Sequence, residues 1–127
     1  MIKHINAIHQ GIAINIEYDE NVYQPGSLTR IICDIMEVKK GDRVIDVGCG
    51  TGYIGIVASL LGASEVICID PVPESIRWTQ HNARLNNISN FTAIHGGALD
   101  PVRSLQDGME TASVFHNSLL KTARTAS

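Results

Sequence analysis

A glycine-rich turn between an apolar run and an amphipathic run constrains this chain more than any other segment. The turn spans Asp46–Gly52 and reads DVGCGTG. The apolar run Arg43–Val47 leads into the turn, and the amphipathic run Tyr53–Leu61 follows it. Glycines allow backbone torsions that other residues tolerate poorly, and they let a ligand approach the main-chain N–H groups at a helix start. The pattern predicts a strand, a tight turn and a helix at a nucleotide-type pocket.

The alternation of strand and helix continues along the chain. It predicts strands at Arg43–Val47, Glu65–Asp70 and Phe91–His95, helices at Tyr53–Leu61 and Pro73–Asn86, and a marginal fourth strand at Ala112–Phe115. Short β-branched runs that alternate with helices are typical of a parallel sheet with right-handed crossovers. We therefore expect an α/β fold with a Rossmann-like parallel sheet and helices on both faces. A short β-hairpin and a helix are expected ahead of this core.

The length of 127 residues fits a single domain. We expect the domain to span residues 1–116, with residues 1–26 as an N-terminal extension. The segment 117–127 is polar, weakly basic and rich in Ser, Thr and Ala, and it has little apolar periodicity. Such a segment is expected to be a frayed or disordered tail.

Composition narrows the classes of protein. The 44% hydrophobic and 18% charged residues are ordinary for a globular domain, and the net charge of −3 argues against a broadly basic nucleic-acid surface. No run approaches the ~20 apolar residues of a membrane span, and the N-terminus lacks a signal-peptide layout, so a cytoplasmic protein is expected. The three cysteines and five histidines lack metal-ligand spacing, which predicts reduced thiols and no metal site.

The carboxylate of Asp46 helps to identify the ligand. Gly50, Gly52 and Gly55 also fit a dinucleotide fingerprint, so the glycines alone cannot choose a cofactor. Asp46 is expected beside the turn, where a pyrophosphate would sit. At ~5 Å and an effective dielectric near 20, Coulomb's law gives about 3 kcal/mol of repulsion for each charge pair. A ligand with an ammonium and a sulfonium group would instead be attracted.

A second carboxylate, Asp70, ends the next predicted strand, twenty residues beyond Gly50. A carboxylate at that position can accept hydrogen bonds from both hydroxyls of a ribose. Asp70 before Pro71 can also cap the following helix, and the two roles can coexist. A ligand that combines an amino acid, a sulfonium and a ribose is S-adenosylmethionine. For Tyr53, the sequence leaves open whether the side chain lines the pocket or packs against the sheet.

These residues resemble the first motif of class I S-adenosylmethionine-dependent methyltransferases. The resemblance is specific over Arg43–Asp70 and extends over Tyr23–Pro101. It implies S-adenosyl-L-methionine as cofactor, S-adenosylhomocysteine as its product, and methyl transfer to an unidentified acceptor. The loop Tyr23–Thr29 is similar to the segment ahead of the core in enzymes that methylate nitrogens of proteins and nucleic acids. It is also similar to the corresponding segment of protein isoaspartate methyltransferases, so the acceptor stays open.

The resemblance assigns a role to each matching position. Asp46 is expected at the amino end of the cofactor and Asp70 at the ribose. The other implied cofactor-binding residues are Gly48, Cys49, Gly50, Thr51 and Gly52 under the methionine moiety, Pro71 beside Asp70, and Gly97 and Ala98 near the adenine.

Two departures from the family pattern bear on activity. The family usually has an acidic residue where this chain has Gly97, so adenine recognition falls to Asp100 or to backbone groups near Ala98. Nitrogen methyltransferases also carry an Asn/Asp-Pro-Pro-aromatic tetrad, whereas the register here gives NSLL from Asn117. Only Asn117 agrees, which makes it the sole candidate for a catalytic side chain.

The family core continues for several strands beyond those expected here. We therefore expect about half of the usual sheet in a truncated chain, and an exposed strand edge that a second copy or a partner chain covers. A catalytically inactive S-adenosylmethionine-binding fragment or partner subunit is the alternative function. A nicotinamide oxidoreductase fragment is a third, and the charge of Asp46 opposes it.

Overall fold

The computed structural model describes residues 1–96, together with the backbone of two strands at 111–116 and 119–124. Seven strands and three helices follow one another in the described parts of the chain. They are β1 (Lys3–His9), β2 (Ile12–Tyr18), α1 (Ser27–Ile35), β3 (Arg43–Val47), α2 (Tyr53–Leu60), β4 (Glu65–Asp70), α3 (Pro73–Leu85), β5 (Phe91–His95), β6 (Thr111–His116) and β7 (Leu119–Arg124). Among these helices, none combines the length and the apolar character that a membrane span requires.

The main sheet has five strands in the order β5-β4-β3-β6-β7. Strands β3, β4, β5 and β6 run parallel, with Val44 beside Val66 and Val66 beside Phe91. The α/β fold with a Rossmann-like parallel sheet, expected from the strand–helix rhythm, is confirmed. Parallel strands bring their carboxyl ends to one edge, so the turn after β3 and the end of β4 lie side by side.

The chain beyond β6 differs from the expected frayed tail. Leu119–Arg124 form β7, which pairs antiparallel with β6. Little in the local sequence pattern predicts this strand, because its pairing depends on backbone hydrogen bonds to β6 and these need no apolar alternation. The side of β6 that faces away from β3 is therefore occupied by β7.

All three described helices pack on one face of the main sheet. Val44, Val66 and Cys68 on that face share a hydrophobic cluster with side chains of α1, α2, α3 and the β1–β2 hairpin. The opposite face carries a second cluster, which consists of Ile45, Val47, Ile67 and Ile69 with Ile94 beside it. The sequence predicts helices on both faces, but no helical residue of the described parts contributes to this second cluster.

Helix α2 lies very close to the sheet because of Gly55. A Cβ atom at this position would lie 2.9 Å from Cys68 Sγ and 3.1 Å from Val66 Cγ1. Gly55, the third glycine of the fingerprint formed with Gly50 and Gly52, thus allows close packing between the helix and the sheet. The close approach holds the first turn of α2 firmly at the end of β3.

The N-terminal hairpin, predicted from its weak alternation, is present as β1 and β2. It is joined to the core by Asn82 of α3, which is fully buried. Asn82 Oδ1 accepts a hydrogen bond from the Glu17 N–H at 2.8 Å, while Nδ2 donates to the oxygens of Glu17 and Thr51 at 2.8 and 2.9 Å. One side chain therefore connects the hairpin, α3 and the glycine turn.

Replacing Asn82 by alanine is expected to lower the free energy of unfolding by about 2–3 kcal/mol, because the backbone groups of Glu17 and the buried carbonyl of Thr51 lose their partner. Urea denaturation measures this change. Asn86→Ala is the matched control: Asn86 makes the same pair of bonds to Asn15 one helical turn later, but near solvent. Its loss should be about 1 kcal/mol. Equal losses in the two variants would contradict the role given to Asn82.

Candidate functional site

The glycine turn has the backbone conformation that the sequence predicts. Gly48, Gly50 and Gly52 have φ values of 79°, 55° and 86°, all in the left-handed region. Residues with a Cβ atom rarely adopt this region. At Gly50 a Cβ atom would meet nothing within 4 Å, so the backbone there borders open space.

A cavity of about 640 Å³ lies where β3 and β4 end. Of the residues that the sequence assigns to the cofactor, seven line it: Asp46, Gly48, Cys49, Gly50, Thr51, Asp70 and Pro71. Gly52 is not part of the lining, because it faces Thr79 of α3 instead. Gly97 and Ala98, expected near the adenine, and the catalytic candidate Asn117 lie outside the described residues.

A second wall of the cavity comes from the loop before α1 and from the start of that helix. Its residues are Tyr23, Gln24, Pro25, Gly26, Leu28 and Thr29. Sequence reasoning matched this loop to the family pattern without placing it at the ligand. Its Pro-Gly pair was the available signal, since such loops often border sites. Ile54, Val72 and Ser75 also line the cavity, and sequence reasoning missed them.

Asp46 is almost completely buried, with 3% of its surface exposed. Its Oδ2 atom has no hydrogen-bond partner. Burial, and secondarily the charge of Asp70, raises the pKa of Asp46 to about 7, while the N–H of Gly55 favours the charged form. Near neutral pH the ligand-free protein therefore holds a proton on Asp46 more readily than an exposed carboxyl does. The repulsion of a diphosphate is weaker than a fully ionised carboxylate would give.

The backbone N–H groups of the turn are largely occupied within the protein. Those of Gly48 and Cys49 donate to the Ile69 oxygen, that of Gly50 donates to Asp70, and that of Gly52 donates to the Cys49 oxygen. These four N–H groups are therefore not free to bind a ligand. This occupancy also leaves few donors for a diphosphate, which opposes a dinucleotide on geometric grounds.

The backbone N–H groups at the start of α2 differ from those of the turn. Within the described part of the chain, the N–H groups of Thr51, Tyr53 and Ile54 have no acceptor. All three residues line the cavity. The first N–H groups of a helix carry a partial positive charge, so this wall suits a carboxylate better than the turn itself does.

Asp70 connects the turn to the start of α3. Its Oδ2 accepts from the Gly50 N–H at 3.1 Å, and its Oδ1 accepts from the Val72 N–H at 2.9 Å. Val72 is the N-cap residue of α3, so Asp70 organises the entry to that helix. Each oxygen of a carboxylate can accept a further bond, and Asp70 also lines the cavity. The two roles considered from the sequence are therefore compatible.

The sequence left open whether Tyr53 lines the pocket or packs against the sheet, and the residue does both. Its side chain is 2% exposed and belongs to the first hydrophobic cluster. The same residue lines the cavity as the first residue of α2. Tyr53 thus packs in the core and borders the site.

The fold and the site define a class I S-adenosylmethionine-dependent methyltransferase domain, and S-adenosyl-L-methionine is the cofactor of this class. The match to the model of one family is more specific. The family described as ribosomal protein L11 methyltransferase (PrmA) matches residues 26–121, which include the glycine turn and both carboxylates. The chain belongs to this family.

Individual proteins agree with that assignment. The ribosomal protein L11 methyltransferase of Acetivibrio thermocellus is 37% identical over 83 residues, which cover 65% of this chain and 26% of that protein. The corresponding protein of Thermotoga neapolitana is 47% identical over 51 residues, covering 40% of this chain and 19% of that protein. The chain thus spans about a quarter or less of the length of these relatives.

A solved structure supports the fold. The T. thermophilus 16S rRNA N2 G1207 methyltransferase, in complex with AdoMet and guanosine, superposes with a TM-score of 0.64 at 18% identity. The superposition covers 80% of this chain and 29% of that chain. At this identity the likeness concerns the fold alone.

Proposed function

We propose that this chain is the cofactor-binding domain of an enzyme that transfers a methyl group from S-adenosylmethionine to a nitrogen of a protein. The observation that carries the proposal is the shared cavity of Asp46, Asp70 and the glycine turn. Ribosomal protein L11 is the first acceptor to test, because it appears in the names of the relatives.

The residues of the cavity suit this cofactor. The buried Asp46 Oδ2 lacks a donor, and an ammonium group supplies one. Asp70 keeps acceptor capacity for ribose hydroxyls, with Pro71 beside it, and the free N–H groups at the start of α2 suit the methionine carboxylate. The open space at Gly50 lets the ligand lie against the backbone. The other proposed contacts under the methionine moiety are Gly48, Cys49 and Thr51, with Gly52 supporting the turn from behind.

When bound, S-adenosylmethionine supplies a methyl group activated by its sulfonium. The chain's own contribution is binding and alignment: Asp46 neutralises the ammonium, Asp70 fixes the nucleoside, and the wall from Tyr23 to Thr29 limits access of water. Alignment of two reactants supplies roughly 7–11 kcal/mol of barrier reduction in favourable cases. The acceptor is expected to enter beside this second wall, where Tyr23 and Leu28 are exposed.

Equilibrium titration of the 127-residue chain with S-adenosylmethionine, S-adenosylhomocysteine and NAD tests the cofactor. The two sulfur nucleosides are expected to bind and NAD is expected not to bind. Binding of NAD alone would overturn the proposal. Transfer of a labelled methyl group to ribosomal protein L11 then tests the acceptor. Cofactor binding without transfer to L11 would exclude L11 as an acceptor of the isolated chain and leave the binding of the cofactor in place.

An association of two copies remains a prediction from the sequence. In the described sheet the outermost strands are β5 and β7, and each presents one unpaired side. Sedimentation at high protein concentration is expected to reveal a dimer. A monomer at all concentrations would contradict this expectation.

A further inference from the structure

Thr79 of α3 contacts the glycine turn from the side of the helix. The residue is fully buried, and its hydroxyl donates a hydrogen bond to the Gly50 oxygen at 3.0 Å. Chemistry fixes the direction of this bond, because a carbonyl oxygen can only accept. The hydroxyl oxygen also lies 3.4 Å from Cys49 Sγ. Since the single proton of the hydroxyl is directed at Gly50, the thiol is the donor in this second contact.

The bond from Thr79 orients the peptide group between Gly50 and Thr51. Every peptide bond of the described residues is trans, so the C=O and the N–H of one planar group point in opposite directions. The Gly50 oxygen points toward Thr79. The N–H of Thr51, which belongs to the same peptide group, therefore points away from Thr79.

The cavity lies on the side of the turn that faces away from Thr79. Gly50 and Thr51 both line the cavity, whereas Thr79 does not. A Cβ atom at Gly50 would meet nothing within 4 Å, so the backbone there borders open space. Within the described residues, the Thr51 N–H has no acceptor. Its hydrogen is therefore available to a ligand in the cavity.

The next peptide group of the turn is held in a similar way but has no free N–H. Asn82 Nδ2 donates to the Thr51 oxygen at 2.9 Å, and the N–H of Gly52 in the same peptide group donates to the Cys49 oxygen at 2.8 Å. Side chains of α3 thus hold two consecutive carbonyls of the turn. Only the bond from Thr79 leaves an N–H for the cavity.

We propose that Thr79 is a positioning residue that holds the Thr51 N–H toward the cavity and thereby makes the site selective for ligands with a carboxylate. The inference rests on the proposed function, in which the carboxylate is that of the methionine moiety. Loss of the hydroxyl leaves the Gly50 oxygen without its donor, so the peptide group turns toward another partner. The Thr51 N–H then loses its alignment with the ligand.

Calorimetric titration with two sulfonium nucleosides tests this role. S-adenosylmethionine carries the carboxylate, and decarboxylated S-adenosylmethionine differs from it only by lacking that group. Thr79→Val keeps the shape of the side chain and removes the hydroxyl. It is expected to weaken binding of S-adenosylmethionine about 10-fold, as for a lost hydrogen bond to a charged group, and to leave the decarboxylated compound within about 2-fold.

Thr79→Ser separates the positioning role from packing. This variant keeps the hydroxyl but loses a buried methyl group, so it should lose stability and keep the wild-type preference for S-adenosylmethionine. If Thr79→Val does not fold, Thr79→Ala repeats the comparison, because it differs from Thr79→Ser by the hydroxyl alone. Loss of the preference in Thr79→Ser as well would overturn the inference.

Ser64→Ala is the matched control. The Ser64 hydroxyl also donates to a glycine carbonyl, that of Gly41 at 2.9 Å, but it lies at the amino end of β4 and does not line the cavity. Its effect on the affinity for either nucleoside should stay below about 2-fold. A larger effect on S-adenosylmethionine alone would show that the preference does not depend on the bond from Thr79, and would overturn the inference.

Proton–nitrogen NMR of the wild-type chain provides a second measurement. The Thr51 amide signal is expected to move downfield with S-adenosylmethionine and much less with the decarboxylated compound. Equal shifts with both compounds would overturn the inference, as would equal weakening of both in Thr79→Val, while the proposed function would stand. Failure of the wild-type chain to bind either compound would overturn both.

Discussion

At pH 8 the free energy of unfolding of Asp46→Asn is expected to exceed that of the wild-type chain by about 4 kcal/mol. The variant should therefore unfold at a higher urea concentration. Near pH 4 the two proteins should have similar stability. The reason is burial: the pKa of Asp46 rises from 3.8 in an exposed carboxyl to about 7 in the folded protein. Between these values the folded state holds a proton that the unfolded state has released. Stability therefore falls as the pH rises through this window, and an amide removes the effect.

Denaturation at pH 4.5, 6 and 8 measures this dependence. Asp42→Asn is the matched control, since Asp42 is also buried, at the opposite end of β3, but accepts a hydrogen bond from the Lys39 N–H at 2.9 Å. At pH 8 the control should lose stability rather than gain it, because the hydrogen bond from the Lys39 N–H is weakened. A wild-type chain whose stability does not fall between pH 4.5 and 8 would contradict the account of Asp46.

Asp46→Asn is also expected to bind S-adenosylmethionine poorly. The carboxylate that destabilises the ligand-free domain is then explained by its role in binding the cofactor. A cation beside Asp46 favours its ionised form, so binding near pH 7 should release a fraction of a proton. Titrations in buffers with different ionisation enthalpies detect that release. Asp46→Asn should abolish it. The charge that destabilises the ligand-free domain is thus the charge that the ligand compensates.

The regular part of the fold follows from local sequence patterns. The predicted strands Arg43–Val47, Glu65–Asp70 and Phe91–His95 have the bounds that the structure shows. Each is a short run with apolar or β-branched residues that is bounded by a glycine, asparagine or proline signal, so local propensity and burial agree. The glycine turn was predictable for the same reason, because its conformation is set by the residues within it.

The parts that could not be predicted depend on residues far apart in the chain. Asn82 meets Glu17 across 65 positions, and His9 meets Tyr53 across 44. Polar residues of these types are common on surfaces, and nothing local marks them as buried. The burial of Asp46 likewise depends on residues that are distant in the chain. Its raised pKa therefore could not be predicted from its position beside the turn.

Gly52→Ala is expected to lower the free energy of unfolding by about 4 kcal/mol, because two costs add at one position. The residue has φ 86°, which costs a residue with a Cβ atom roughly 1–2 kcal/mol. The new Cβ atom would also lie 3.1 Å from Thr79 Cγ2 and 3.2 Å from Thr79 Cα. Overpacking of this kind costs roughly 1–3 kcal/mol. Thr79 is fully buried and donates to the Gly50 oxygen at 3.0 Å, so it cannot move without disturbing the turn.

Gly41→Ala separates the two costs. Gly41 has φ 92°, but a Cβ atom there meets nothing within 4 Å, so only the backbone cost applies and a loss of roughly 1–2 kcal/mol is expected. Gly52→Ala should in addition weaken S-adenosylhomocysteine binding, since displacement of α3 shifts Gly50 at the cavity, whereas Gly41→Ala should leave it unchanged. Similar losses of stability in the two variants would show that α3 yields to the added methyl group. The turn would then owe its shape to backbone torsion alone rather than to support from the helix behind it.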